Sequence, residues 1–172
     1  MTHPTLIKLT ILTLINMLFN FKSNEAKCQS VSSYVDSIKQ YQLYVDTLVF
    51  SYSSNPASSV RHGIIHYNCI DSTGEEKGNG SGGSADIYFD PKAKKVFNIS
   101  YIKGCDTITA ERTLYLVNNK IVLAIISDKG NKTTIYFRND KRVKTEQTNP
   151  VTETFADSVL KDGYEILKDF TP

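Results

Sequence analysis

His62 and His66 are spaced so that two imidazoles on one helix turn could share a zinc ion, but the residues between them, Gly63-Ile64-Ile65, lack the glutamate of a metalloprotease helix. The stretch reads as a strand instead. On a strand the two rings face the same way about 13 Å apart, too far to share one ion. The sequence has no Gly-x-Ser-x-Gly elbow. Neither Cys69 nor Cys105 stands in a cysteine-nucleophile motif. Asp86 with Asp90, and Asp71 with Glu75, are carboxylate pairs of the kind any solvated sheet rim offers, and spacing alone does not make them an acid and a base. The glycines of 72–84 lack the Gly-Lys-Ser/Thr ending of a phosphate cradle. The sequence therefore predicts no catalytic residue, no metal and no cofactor. A hydrolase would need a nucleophile from a distant segment brought to His62 or His66.

The residues best suited to contact are tyrosines, and they recur in one pattern. Ile87-Tyr88-Phe89, Leu114-Tyr115-Leu116 and Ile135-Tyr136-Phe137 each lead into a polar turn, then a basic residue, then a β-branched one: Lys95-Val96, Lys120-Ile121 and Arg142-Val143. Strand side chains alternate, so each copy predicts a β-hairpin with an apolar underside and a tyrosine on top. Tyr88, Tyr115, Tyr136 and Arg138, with Asp86 and Glu111, are the candidate partner face. A broad rigid ring with a hydroxyl suits recognition. Tyrosine also favours strands and packs across them, so the same residues would serve equally as plain sheet formers.

Strands are expected at 62–71, 85–90, 95–103, 107–117, 120–127, 132–138 and 141–145. Short Asp- and Asn-rich turns make consecutive strands antiparallel neighbours. Steps of 3 and 4 between apolar residues predict a helix over 31–50, with Ser30 as N-cap. A second helix is expected over 150–170, with Asn149 as N-cap and Pro150 at its first position. Gly163 lies within its apolar stripe, as a close approach to the sheet would require. The fold class is α+β: a β-meander of about six or seven strands packed on an N-terminal and a C-terminal helix. Alternation places Ala85, Ile87, Phe89, Phe97, Ile99, Tyr101, Leu114 and Leu116 on the face both helices are expected to cover, with Arg112 an intruder. Ile121 to Ile126 are apolar on both faces, so something else must cover part of the tyrosine side: the N-terminal helix, the 72–84 loop, sheet curvature or another subunit.

Residues 1–27 read as an export signal, with Lys8, an apolar run from Leu9 to Phe21 and a polar stretch ending near Ala26. The run is short for a bilayer span. The alternatives are a buried first helix, a retained anchor, or a lipoprotein at Cys28, against which Lys27 stands immediately before the cysteine. Residues 28–172 are expected to form one α+β domain with a flexible loop at 72–84, rich in Gly and Ser. Cleavage near Ala26 removes Lys8, Lys22 and Glu25 and leaves 18 basic against 17 acidic residues, a net charge of +1. That balance argues against a nucleic-acid partner. Of three cysteines, Cys69 and Cys105 are the candidate disulfide, with Cys28 spare; three reduced thiols are the alternative. Of three Asn-x-Ser/Thr triplets, at Asn79, Asn98 and Asn131, the one at Asn98 falls within a predicted strand.

The hairpins at 87–96, 114–122 and 135–143 resemble those of small exported bacterial proteins from Bacteroidetes-like organisms, an uncharacterised group. Those proteins repeat a Tyr/Phe-rich strand, an Asp/Asn turn and a Lys-plus-apolar return strand before a final helix. The resemblance covers roughly residues 85 to 170. It implies an envelope location and an α+β fold, and it transfers no catalytic residue. This chain lacks the group's Asn-Gly-Lys turn; Asn118-Asn119-Lys120 comes nearest.

The expected function is binding without catalysis, in the periplasm or outside the cell. The specific expectation is a cell-envelope immunity or inhibitor protein that masks another protein, a toxin or an envelope enzyme. The alternative is a periplasmic small-ligand or lipid carrier with a cavity between sheet and helices. No membrane span is expected after signal cleavage.

Overall fold

Two-residue turns with positive φ at both central positions set the hairpins. They are Asn118 and Asn119 (φ 51° and 61°), Lys129 and Gly130 (46° and 82°), and Asn139 and Asp140 (53° and 59°). This is the conformation whose twist matches that of paired strands, and Asn, Asp and Gly tolerate it best. The first hairpin turns differently: the Asp90 carboxylate accepts from the amides of Lys92 and Ala93 at 2.8 and 3.0 Å. The computed structural model describes residues 30–54, 59–67, 82–102, 110–147 and 153–170. The signal at 1–27, all three cysteines, most of the 72–84 loop, and Asn149 with Pro150 lie outside the described residues. Gly83 and Ser84, read as the end of that loop, open a strand.

Every described element lies within one compact unit, Val31–Pro172. Helix α1 (Val31–Ser54) is followed by β1 (Arg61–Tyr67), β2 (Gly83–Asp90), β3 (Lys95–Ile102), β4 (Glu111–Val117), β5 (Lys120–Asp128), β6 (Asn131–Arg138), β7 (Lys141–Glu146) and α2 (Glu153–Asp169). The strands form one antiparallel sheet in chain order. The fold is the α+β meander with a helix at either end.

The two helices lie on opposite faces, giving three layers. Helix α2 packs Ala156, Val159, Leu160 and Ile166 against Ile87, Ile99, Leu114, Leu116, Ile135 and Phe137. Helix α1 packs Val35, Ile38, Tyr41 and Val45 against Tyr115, Leu123, Ile125 and Tyr136. The expectation that both helices cover one face is therefore corrected. The cause was visible in β5, where Leu123 and Ile125 feed one cluster while Ile121, Ala124 and Ile126 feed the other. Gly163 marks the close approach of α2: a Cβ there would lie 2.5 Å from Leu114 Cδ1 and 2.7 Å from Ile121 Cδ1.

Each of the three hairpins carries a bulge directly after its tyrosine. The register shifts between Tyr88 and Phe89, Tyr115 and Leu116, and Tyr136 and Phe137. The extra residues on the return strands are Phe97, Val122 and Val143, and all three pack into the α1 cluster. A bulge lets two successive residues face the same way. This corrects the placement of Phe97 with Ile99 and Tyr101, and it widens the apolar floor on which α1 rests.

Helix α1 lies across the strands. Tyr34 donates its hydroxyl hydrogen to the Phe137 carbonyl on β6, and Tyr41 donates to the Leu116 carbonyl on β4. Both acceptors sit where the ladder is interrupted by a bulge. Seven helical residues rise about 10.5 Å, and two strand spacings are about 9.6 Å. The heptad step from Tyr34 to Tyr41 thus matches the repeat of one hairpin.

Candidate functional site

The register brings His62, Tyr88, Asn98, Tyr115, Leu123, Tyr136 and Lys144 into one row across the sheet. The three motif tyrosines share a face, as alternation requires. That face is not open, because α1 lies on it: Tyr115 is 5% exposed and Tyr136 is 1% exposed. Tyr115 donates to Asp46 Oδ1 of α1 at 2.8 Å, and Tyr136 donates to Glu146 Oε2 at 3.0 Å. Arg138 places its guanidinium 5.3 Å from the centre of the Tyr34 ring. The reading of Tyr115 and Tyr136 as solvent-facing contact residues is corrected. Their hydroxyls attach a helix and a neighbouring strand, and their rings are core.

Glu146 joins α1 to the sheet. Its Oε1 accepts from Lys144 Nζ at 2.7 Å and from Lys39 Nζ of α1 at 3.1 Å. The Lys144 hydrogen bond is the largest cause holding its carboxyl down from 4.5 to about 2; bonds from Lys39 and Tyr136 add to it and burial opposes it. A folded-state value below the unfolded one adds stability above the unfolded pKa, and that stability is lost as pH falls through the folded one. Thermal melts of wild type and Glu146→Gln should therefore differ above about pH 4.5 and converge toward about pH 2. Solvent screening at a side chain 35% exposed keeps the difference small.

Tyr88 belongs to a different neighbourhood, at the β1–β2 corner beside the last turn of α1. Its ring stacks on His62 at 4.8 Å between centroids, and Tyr52 of α1 meets it edge-on at 6.0 Å. His62 Nε2 lies 2.8 Å from Asp86 Oδ1. Burial raises the Tyr88 phenol above its ordinary value, with Asp86 and Tyr52 adding to the rise, so it keeps its proton across the physiological range. Ile64, on the same side of β1 as His62, is 54% exposed. Two strands on, exposed Glu111 accepts from Ser100 Oγ at 3.2 Å. Of the six candidate residues, the structure brings Tyr88 and Asp86 together, keeps Glu111 on the open part of the face, and places Tyr115, Tyr136 and Arg138 under or beside α1.

The sequence reading passed over Tyr52, His62 and Ile64 as contact residues. A signal was present: His62, Ile64 and His66 alternate on one strand, and β1 pairs with the strand that carries Tyr88 and Asp86. Asn98 is buried and donates to the Leu114 carbonyl at 3.2 Å, which makes it a sheet residue and no glycan acceptor. Among the described residues, no three His, Cys, Asp or Glu side chains are arranged to hold a metal ion. None of the described helices is long and apolar enough to cross a membrane. Compared with known proteins, the chain matches no family model, no curated protein and no solved structure.

Proposed function

We propose that this is an exported, non-catalytic binding module that engages another protein through the β1–β2 corner, in the manner of a cell-envelope immunity or inhibitor protein. The observation that carries the reading is the composition of the corner. A ring cluster of Tyr52, His62 and Tyr88 lies beside exposed Ile64 and the Asp86 carboxylate, which His62 Nε2 meets at 2.8 Å. An aromatic and aliphatic centre with a charged rim is the make-up of a protein interface. The side chains sit on paired strands and a helix end, so little entropy is lost in holding them.

The test is a comparative pull-down from envelope extract of the native host. Immobilised wild type should retain a partner that the double variant Ile64→Asp, Tyr88→Ala releases, while circular dichroism of the two remains alike. Equal recovery by both, or no recovered partner, would remove the corner as the contact surface. A second reading, the small-ligand or lipid carrier, is favoured by a cleft of 180 Å³ between the sheet and α2. Sites for drug-sized ligands occupy roughly 300–1,000 Å³, so this one suits a head group better than an acyl chain.

A further inference from the structure

The sheet ends on β1 at one side and β7 at the other, and its two edges are unlike. Strand β7 reads Lys141-Arg142-Val143-Lys144-Thr145-Glu146, with Lys141 and Lys144 exposed, and a bulge interrupts its pairing with β6. Lysines and bulges are devices that blunt an edge against further pairing. Strand β1, Arg61-His62-Gly63-Ile64-Ile65-His66-Tyr67, has no lysine, no carboxylate and no proline. It pairs with β2 in one unbroken register from Arg61 to Tyr67. In an antiparallel pair every second residue directs its amide and carbonyl away from the neighbouring strand. The outer side of β1 is therefore a regular backbone row about 23 Å long, and among the described residues no strand pairs with it. Ile64, at its middle, is 54% exposed.

We infer that β1 is a self-association edge: it pairs antiparallel with β1 of a second copy across a two-fold axis at Ile64, joining the two sheets into one. The backbone row would accept any extended segment, but the order of side chains fits this one. An axis at Ile64 sets Ile64 against its own copy, His62 against His66, Ile65 against Gly63 and Arg61 against Tyr67. No two arginines or lysines meet, and like charges directly opposite are what would oppose such a pair. On the α1 face the two Ile64 side chains cover each other, with an imidazole pair on either side. On the α2 face Gly63 leaves room: the Phe170 ring lies over it, with Cε2 2.7 Å from where a Cβ would stand. The Ile65 of the second copy arrives beside that position and meets the Phe170 ring, which Phe89 already holds edge-on at 4.8 Å between centroids. A glycine within a strand often marks such a close approach. One strand pair buries less than the roughly 1,600 Å² of a standard interface, so the dimer is weak and exchanges with monomer. This inference does not rest on the protein-binding reading, because it concerns the chain with itself; Ile64 serves both, so a bound partner and a second copy would compete.

The experiment is a small-angle scattering series on the purified protein alone, from about 50 μM to about 1 mM, the range in which a weak strand-pair dimer forms. The scattering mass should rise with concentration toward twice that of the monomer. Ile64→Lys, at an exposed position, should keep the melting temperature and weaken the dimer about tenfold or more, because two ammonium groups then face each other across the axis. Ile64→Val should leave the dimer within a few-fold of wild type. In a mixture of isotope-labelled and unlabelled chains, intermolecular NOEs should join His62 of one copy to His66 of the other. A monomer at about 1 mM, a dimer that survives Ile64→Lys, or contacts from His62 to His62 would each overturn the inference. No partner protein is present in these measurements, so their failure leaves the pull-down expectation standing, and the reverse holds as well.

Discussion

Tyr136→Ala should lower the stability of the domain by about 3–5 kcal/mol, the range for deleting a large buried aromatic side chain. The ring lies between the sheet and α1 with 1% of its surface exposed. Its removal opens a cavity among Val35, Ile38 and Leu123, which belong to the same cluster. The Glu146 carboxylate also loses a donor but keeps Lys39 and Lys144. Tyr136→Phe should therefore cost only about 1 kcal/mol, the net worth of one hydrogen bond. Urea denaturation of the two variants separates the roles of ring and hydroxyl. A surface tyrosine would give a change within about 0.5 kcal/mol in both, and that result would show that α1 does not cover this row in solution.

Leu114→Ala should cost about 2–5 kcal/mol, because the side chain is fully buried beneath α2. The single variant Gly163→Ala should also destabilise. Its Cβ would meet Leu114 and Ile121 well inside contact distance, an overpacking cost of about 1–3 kcal/mol. The helix propensity gained, about 1 kcal/mol, offsets part of that. Combined, the two changes should be less damaging than their sum, because the new methyl enters space that Leu114 has vacated. A favourable coupling of roughly 0.5–2 kcal/mol is expected from a double-mutant cycle in urea. Strict additivity would mean that the helix does not rest on Leu114.

The hairpins were legible because two local signals agree. Asn118-Asn119 and Asn139-Asp140 are turn pairs that accept positive φ, and the flanking residues alternate. The buried stripe of α1, with Val35, Ile38, Tyr41 and Val45, was legible from its spacing. Which face of the sheet that stripe would cover was not legible, since periodicity describes an element and is silent about its partner. The bulges escaped for a related reason. Phe97 and Val143 each continue a reasonable alternation, Val122 stands in an unbroken apolar run, and only pairing with the opposite strand reveals the extra residue. The buried tyrosines follow from that gap: a ring that looks polar in sequence becomes core once a helix offers its hydroxyl an acceptor, as Asp46 does for Tyr115. The cleft under α2 was hidden in the same way, because Tyr67 and Tyr101 of the sheet and Ile166 of α2, which line it, are far apart along the chain and meet only after the sheet has formed.

The agreement between the heptad of α1 and the width of one hairpin makes this architecture extensible by units. Lengthening the sheet by one β-ribbon requires about seven more residues of overlying helix, with a tyrosine in the first of them to reach the next interrupted carbonyl. An insertion of any other length would throw the later anchors out of step with their acceptors. Size variation in chains of this design should therefore be quantised, with both parts growing together.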